Sequence, residues 1–124
     1  MGKAFLAAIV LALLALPQGA AAQDFLTAAE LKAFYTDRKI DLRGRDGVDM
    51  IQHFKPGGVL VTQFDRPGNL HSHETKWRVT DDGKICFNNA KGRRFCNKIK
   101  KTADGYKRFN PRGQELRGYW KPRL

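Results

Sequence analysis

The chain has 124 residues, with 23 Lys and Arg against 12 Asp and Glu, a formal net charge of +11. A chain of this length holds one domain with a modest core, which excludes multi-domain machinery and more than one large pocket. The positive excess favours anionic partners and works against a cationic target.

Lys3 precedes an apolar run over 4–16, followed by Pro17, Gln18, Gly19 and the triplet Ala20, Ala21, Ala22. A charged start, a short greasy core and a small-residue cleavage site are the anatomy of a secretory signal peptide. The apolar run is about 13 residues, whereas a spanning helix needs about 20. The expected organisation is a signal peptide over 1–22 and one β-rich domain over 23–124. The product is expected to be periplasmic or secreted, soluble, and a monomer or weak oligomer. No later stretch is long and apolar enough to cross a membrane.

Next comes Leu26-Thr27-Ala28-Ala29-Glu30-Leu31. Thr27 and Glu30 have capping-box spacing, and Leu26 and Leu31 are placed as a hydrophobic staple. A helix is predicted from Ala28 to about Tyr35, with Leu31, Phe34 and Tyr35 on the face that meets a sheet.

After Asp37 the pattern becomes short apolar or alternating segments separated by Gly, Asp, Asn and Pro. Strands are predicted over 40–43, 48–54, 59–64, 74–80, 84–89, 93–100, 106–109 and 115–120. The predicted fold is mainly β: an antiparallel meander of about six to eight short strands, as a sheet or small barrel, with one N-terminal α-helix. Three turns, Asp81-Asp82-Gly83, Ala90-Lys91-Gly92 and Ala103-Asp104-Gly105, fit three-residue hairpin loops closed by a left-handed glycine. Their register sets Val79 against Ile85, Trp77 against Phe87, Phe87 against Phe95, Cys86 against Cys96 and Ile99 against Phe109. Trp77, Val79, Ile85, Phe87, Phe95, Ile99 and Phe109 then share one face, and a one-residue slip would scatter them.

The two cysteines, Cys86 and Cys96, lie opposite each other on the other face in this register. An even, closely spaced pair in an exported chain implies a structural disulfide. The same face carries Lys76, Arg78, Lys84, Arg94, Lys98 and Lys100, with Tyr106 and Arg108 on the next strand. Residues 23–82 hold nine basic and ten acidic side chains, while residues 83–124 hold thirteen basic and two acidic ones. Tyr119 and Trp120 sit among Arg117, Lys121 and Arg123. Arg forks, Lys point charges and interleaved rings suit phosphates, carboxylates and sugar faces. The expected binding set is Lys76, Arg78, Lys84, Arg94, Lys98, Lys100, Arg108 and Trp120. Its expected ligand is an anionic cell-envelope component: lipopolysaccharide, phospholipid or acidic glycan. Nucleic acid suits the same chemistry, but export argues against it.

His71 and His73 form an H-x-H pair that could share a face on a strand, with Glu74 or Asp65 as a third metal ligand. Because Arg66-Pro67-Gly68-Asn69 precedes it, the segment is expected to be a loop. A metal-binding periplasmic protein using these histidines is one alternative, and a structural or protein-interaction module of the envelope is another. Ser72, the only serine, is not in a G-x-S-x-G turn, and the acids lie mostly in turns and near the helix start. The chain is therefore expected to be a binding protein with no cofactor rather than an enzyme.

The run Trp77-Arg78-Val79, Gly83-Lys84-Ile85-Cys86, Phe95-Cys96 and Asp104-Gly105-Tyr106, with the leader and Leu26–Leu31, resembles small exported alphaproteobacterial proteins of a domain-of-unknown-function family. That resemblance covers most of residues 23–124 and implies export and a β-rich fold. It brings no catalytic residues with it. Lysozyme inhibitors of the envelope are similar in size and build, but their cationic target would repel a chain of this charge.

Overall fold

The computed structural model describes residues 24–66, 69–89 and 91–124. The leader predicted over 1–22 lies outside the described residues, as do Pro67, Gly68 and Ala90 of two predicted turns. The helix α1 spans Ala28–Tyr35, and the strands are β1 (Arg38–Arg43), β2 (Asp49–Lys55), β3 (Val59–Arg66), β4 (Asn69–Val79), β5 (Ile85–Asn88), β6 (Arg94–Thr102), β7 (Gly105–Phe109) and β8 (Trp120–Pro122). They form one antiparallel sheet in the order β7-β6-β5-β4-β3-β2-β1-β8, curled into a half-barrel.

The capping box is complete. Thr27 Oγ1 accepts from the Glu30 amide at 3.1 Å, and Glu30 Oε1 accepts from the Thr27 amide at 2.9 Å. These contacts satisfy two amides at the end of a helix too short to be stable alone. The helix ends because Asp37 adopts φ 62°, which turns the chain into β1. Its buried face, Leu31, Phe34 and Tyr35, lies on the concave side of the sheet. Tyr35 meets the rings of Phe54 and Trp77, and Phe34 meets Tyr106 and Trp120. Ile40, Leu60, Ile85 and Ile99 complete the core. The helix thus fills the trough that the curl creates.

Two of the three predicted hairpin registers match the structure. Trp77 pairs with Phe87, Val79 with Ile85, Cys86 with Cys96 and Phe87 with Phe95. Gly83 and Gly92 close their loops at φ 84° and 80°. The third register is shifted by one residue. Thr102 pairs with Gly105, so the loop is only Ala103 and Asp104, and Ile99 faces Arg108 instead of Phe109. Thr102 Oγ1 donates to the Gly105 carbonyl (2.9 Å) and accepts from the Asp104 amide (3.2 Å), which holds the tighter turn. A one-residue shift exchanges the faces of a whole strand. Arg108 and Tyr106 therefore point inward, and Phe109 and Lys107 point outward.

Two other segments also differ from expectation. β4 begins at Asn69, so His71 and His73 lie on a strand rather than in a loop. The strand expected over 115–120 is instead a single bridge, Glu115 to Phe109, followed by β8. Gly118, at φ 132°, lets the chain leave β7 and cross to β1. There Trp120 pairs with Leu42, and Arg123 forms a bidentate ion pair with Asp41, both contacts at 2.8 Å.

Candidate functional site

The disulfide Cys86–Cys96 joins adjacent strands on the convex face. Around it, alternation directs Lys76 and Arg78 of β4, Arg94, Lys98 and Lys100 of β6, and Lys107 of β7 to the same side. Outward positions from Lys76 through β7 include no acidic residue among the described residues. Lys76, Arg78 and Arg94 are exposed, while Lys98, Lys100 and Lys107 are half-buried.

For Lys98 and Lys100 the half-burial comes from an aromatic pad. Phe25 bridges to Lys100, and its ring meets Phe109 edge-on at 5.2 Å. The Lys98 ammonium lies 5.1 Å and the Lys100 ammonium 4.5 Å from the Phe25 ring centre. Lys100 also lies 5.2 Å from Phe109. Rings hold such stems in place while the ammonium heads stay wet. Lys100 and Lys107 are directly opposed across β6 and β7.

The expected binding residues divide into three groups. Lys76, Arg78, Arg94, Lys98 and Lys100 share the convex face. Lys84 stands in the β4–β5 turn, paired with Asp82 at 3.0 Å. Hydrogen bonds from Thr80 and Lys84 hold the Asp82 carboxyl below its ordinary range. Arg108 and Trp120 are on the opposite, concave face, where the guanidinium lies 5.3 Å from the indole centre. The register shift separates Arg108 from the set and brings Lys107 into it. Phe25, Lys107 and Phe109 were missed by sequence reasoning. The signal that could have found them was Thr102, whose hydroxyl favours a two-residue loop ahead of Gly105.

His71 and His73 do share a face, set by the pairings of His71 with Phe64 and His73 with Thr62. Glu74 and Asp65, considered as third ligands, point to the other face by alternation. Among the described residues no group of three His, Cys, Asp or Glu side chains is close enough to hold a metal ion. His53 is elsewhere, 2.8 Å from the Asp37 carboxylate.

Two depressions formed by described residues bear on the site. One, of about 530 Å³, lies over β1, β2 and β3 and is lined by Asp41, Arg43, Asp49, Ile51, Asp65 and Tyr119, among others. Its charges are largely engaged: Arg43 with Asp49 at 2.7 Å, and Asp41 with Arg123. The other, of about 240 Å³, lies between β7 and the segment leading to β8. Among the described residues, no helix is long and apolar enough to cross a membrane. The chain matches no family model, no curated protein and no solved structure.

Proposed function

We propose that this is an exported, non-enzymatic binding protein whose convex basic face engages an anionic cell-envelope component: lipopolysaccharide, phospholipid or acidic glycan. The observation that carries this reading is Lys100 directly opposite Lys107, flanked by Lys98, Arg94, Arg78 and Lys76. Like charges directly opposed on a sheet destabilise it. The ion pairs recorded among the described residues involve none of these six cations. A face that accepts this repulsion without an internal counter-charge is suited to an external anion. Spread over three strands and fixed by the disulfide and the phenylalanine pad, it suits a repeating or crowded anion more than a single small one.

The test is binding of the oxidised protein to lipopolysaccharide, anionic vesicles, an acidic polysaccharide and DNA, at low and at physiological salt. Retention of one envelope class at physiological salt supports the reading. In that case the combined Arg78→Glu, Arg94→Glu and Lys98→Glu variant should lose binding while keeping its circular dichroism. Weak binding to everything that vanishes with salt would reduce the face to a generic field. Affinity that survives the triple reversal would place the site elsewhere.

A further inference from the structure

β7 and β8 are the two ends of the strand order. The chain between them forms a seam: the Leu116 amide donates to the Arg108 carbonyl at 2.9 Å, and Trp120 then pairs with Leu42 on β1. Within the seam lies the cavity of about 240 Å³, lined by Tyr106, Arg108, Glu115, Leu116, Arg117 and Trp120, among others. Arg108 reaches it from the concave side, where its backbone faces Ile99.

Arg108 is an unusual cation. Its Nε is enclosed and has no hydrogen-bond partner. None of the ion pairs among the described residues includes it. Burial biases the guanidinium against its charge, and the neighbouring Tyr35 offsets that only in part. Burial pushes ionisation of that phenol far above its ordinary range, so it stays neutral. Trp120 lies 5.3 Å away and supplies a π face, not a counter-ion. Enclosing an unpaired charge is costly unless something completes it.

We propose that the seam cavity binds a small oxyanion, a carboxylate or a phosphate group, held by the Arg108 guanidinium with Trp120 and Tyr106 as apolar walls. Arg108 cannot be deprotonated at ordinary pH and presents a planar fork that matches both oxyanions. With Lys107 and Arg117 also lining the cavity against one acid, Glu115, the local charge is positive. The volume falls below the roughly 300–1,000 Å³ of drug-sized pockets. A single small anion fits it. The site borders the convex face at Lys107 but is centred on Arg108, on the other side of the sheet, and does not depend on what that face binds.

The experiment is thermal unfolding of the oxidised protein titrated with inorganic phosphate, acetate or benzoate, against chloride at matched ionic strength. A saturable rise in Tm is expected for phosphate or for the carboxylates, on the order of 10 °C at a hundredfold excess over Kd. Which arm responds identifies the oxyanion. Arg108→Met should remove the rise, whereas the triple reversal on the convex face should keep it. In the unaltered protein the amide signals of Leu116 and the Trp120 indole N–H should shift on titration more than those of Lys76 and Arg94 on the convex face. This second measurement stands even if Arg108→Met does not fold. The proposal is overturned if no probe saturates, if the rise survives Arg108→Met or disappears in the triple reversal, or if the shifts centre on Lys76 and Arg94.

Discussion

The convex face divides into two regions that treat charge in opposite ways. Over β8, β1 and β2 several side chains sit beside an acid: Arg123 with Asp41, Arg43 with Asp49, and His53 with Asp37. Over β4, β6 and β7, Lys76, Arg78, Arg94, Lys98, Lys100 and Lys107 have no ion pair among the described residues, and two of them oppose each other. The first region spends its charges on its own cohesion, tying strands distant in sequence. The second is held by a covalent link and by rings, which leaves its charges unneutralised. What binds a sheet together thus decides which of its faces can bind something else.

The most severe way to break this contrast is to remove the covalent link. Cys86→Ala with Cys96→Ala should cost about 2–3 kcal/mol in the chain-entropy picture. The Tm should fall by about 10–20 °C in calorimetry. Anionic-vesicle binding should weaken as well, because β5 and β6 carry the strand on which Arg94 and Lys98 are spaced.

A smaller change tests the repulsion itself. Lys107→Glu turns a like-charged pair into an opposite-charged one and should stabilise the protein by about 0.2–1 kcal/mol. Vesicle affinity should fall in the same variant. A gain in Tm without a loss of affinity would mean that the pair matters for stability alone.

The paired region responds to acid. Its hydrogen bond from Arg123 holds the Asp41 carboxyl below the ordinary range. The pair's contribution is therefore complete above the unfolded value of about 3.9 and is lost as pH falls through the lower folded value. Denaturant midpoints of the protein and of Asp41→Asn should differ at pH 6 and converge toward pH 2. The smallest effect is expected from Arg43→Ala. Both partners of its ion pair are more than half exposed, at 53% and 58%, and water screens such a pair to a barely measurable effect. A midpoint shift larger than that would mean Arg43 acts through the Tyr119 ring, 5.5 Å away.

Much of the architecture was legible in the sequence because local chemistry is strong here. Thr27 and Glu30 specify a helix start that needs nothing beyond them. Gly83 and Gly92 specify loop lengths, and those lengths put Cys86 opposite Cys96. The failure at Gly105 is informative. A glycine can end a three-residue loop or open a strand after a two-residue one, and only packing chooses. Here Phe109 finds Phe25 outside while Tyr106 finds Phe34 inside, a choice set by residues more than seventy positions apart. For the candidate site, alternation was enough to collect Lys76, Arg78, Arg94, Lys98 and Lys100. It could not reveal Phe25, which lies before the helix, nor could it separate Arg108 from the set once the register was shifted. The histidine strand was hidden for a related reason: β4 starts as early as Asn69 because β3 offers it a full ladder of partners.

The pairing of β8 with β1 also sets an order of events. Asp41 and its partner Arg123 are 82 residues apart. While the chain emerges from a ribosome, or threads through a pore, hairpins β1–β2 to β6–β7 can close as each appears. The outer edge of β1 stays open until synthesis has passed Pro122. An open edge is a hazard for intermolecular pairing, and long-range closures are the slow ones. The fold therefore has a built-in latch: the earliest strand made is among the last to be completed.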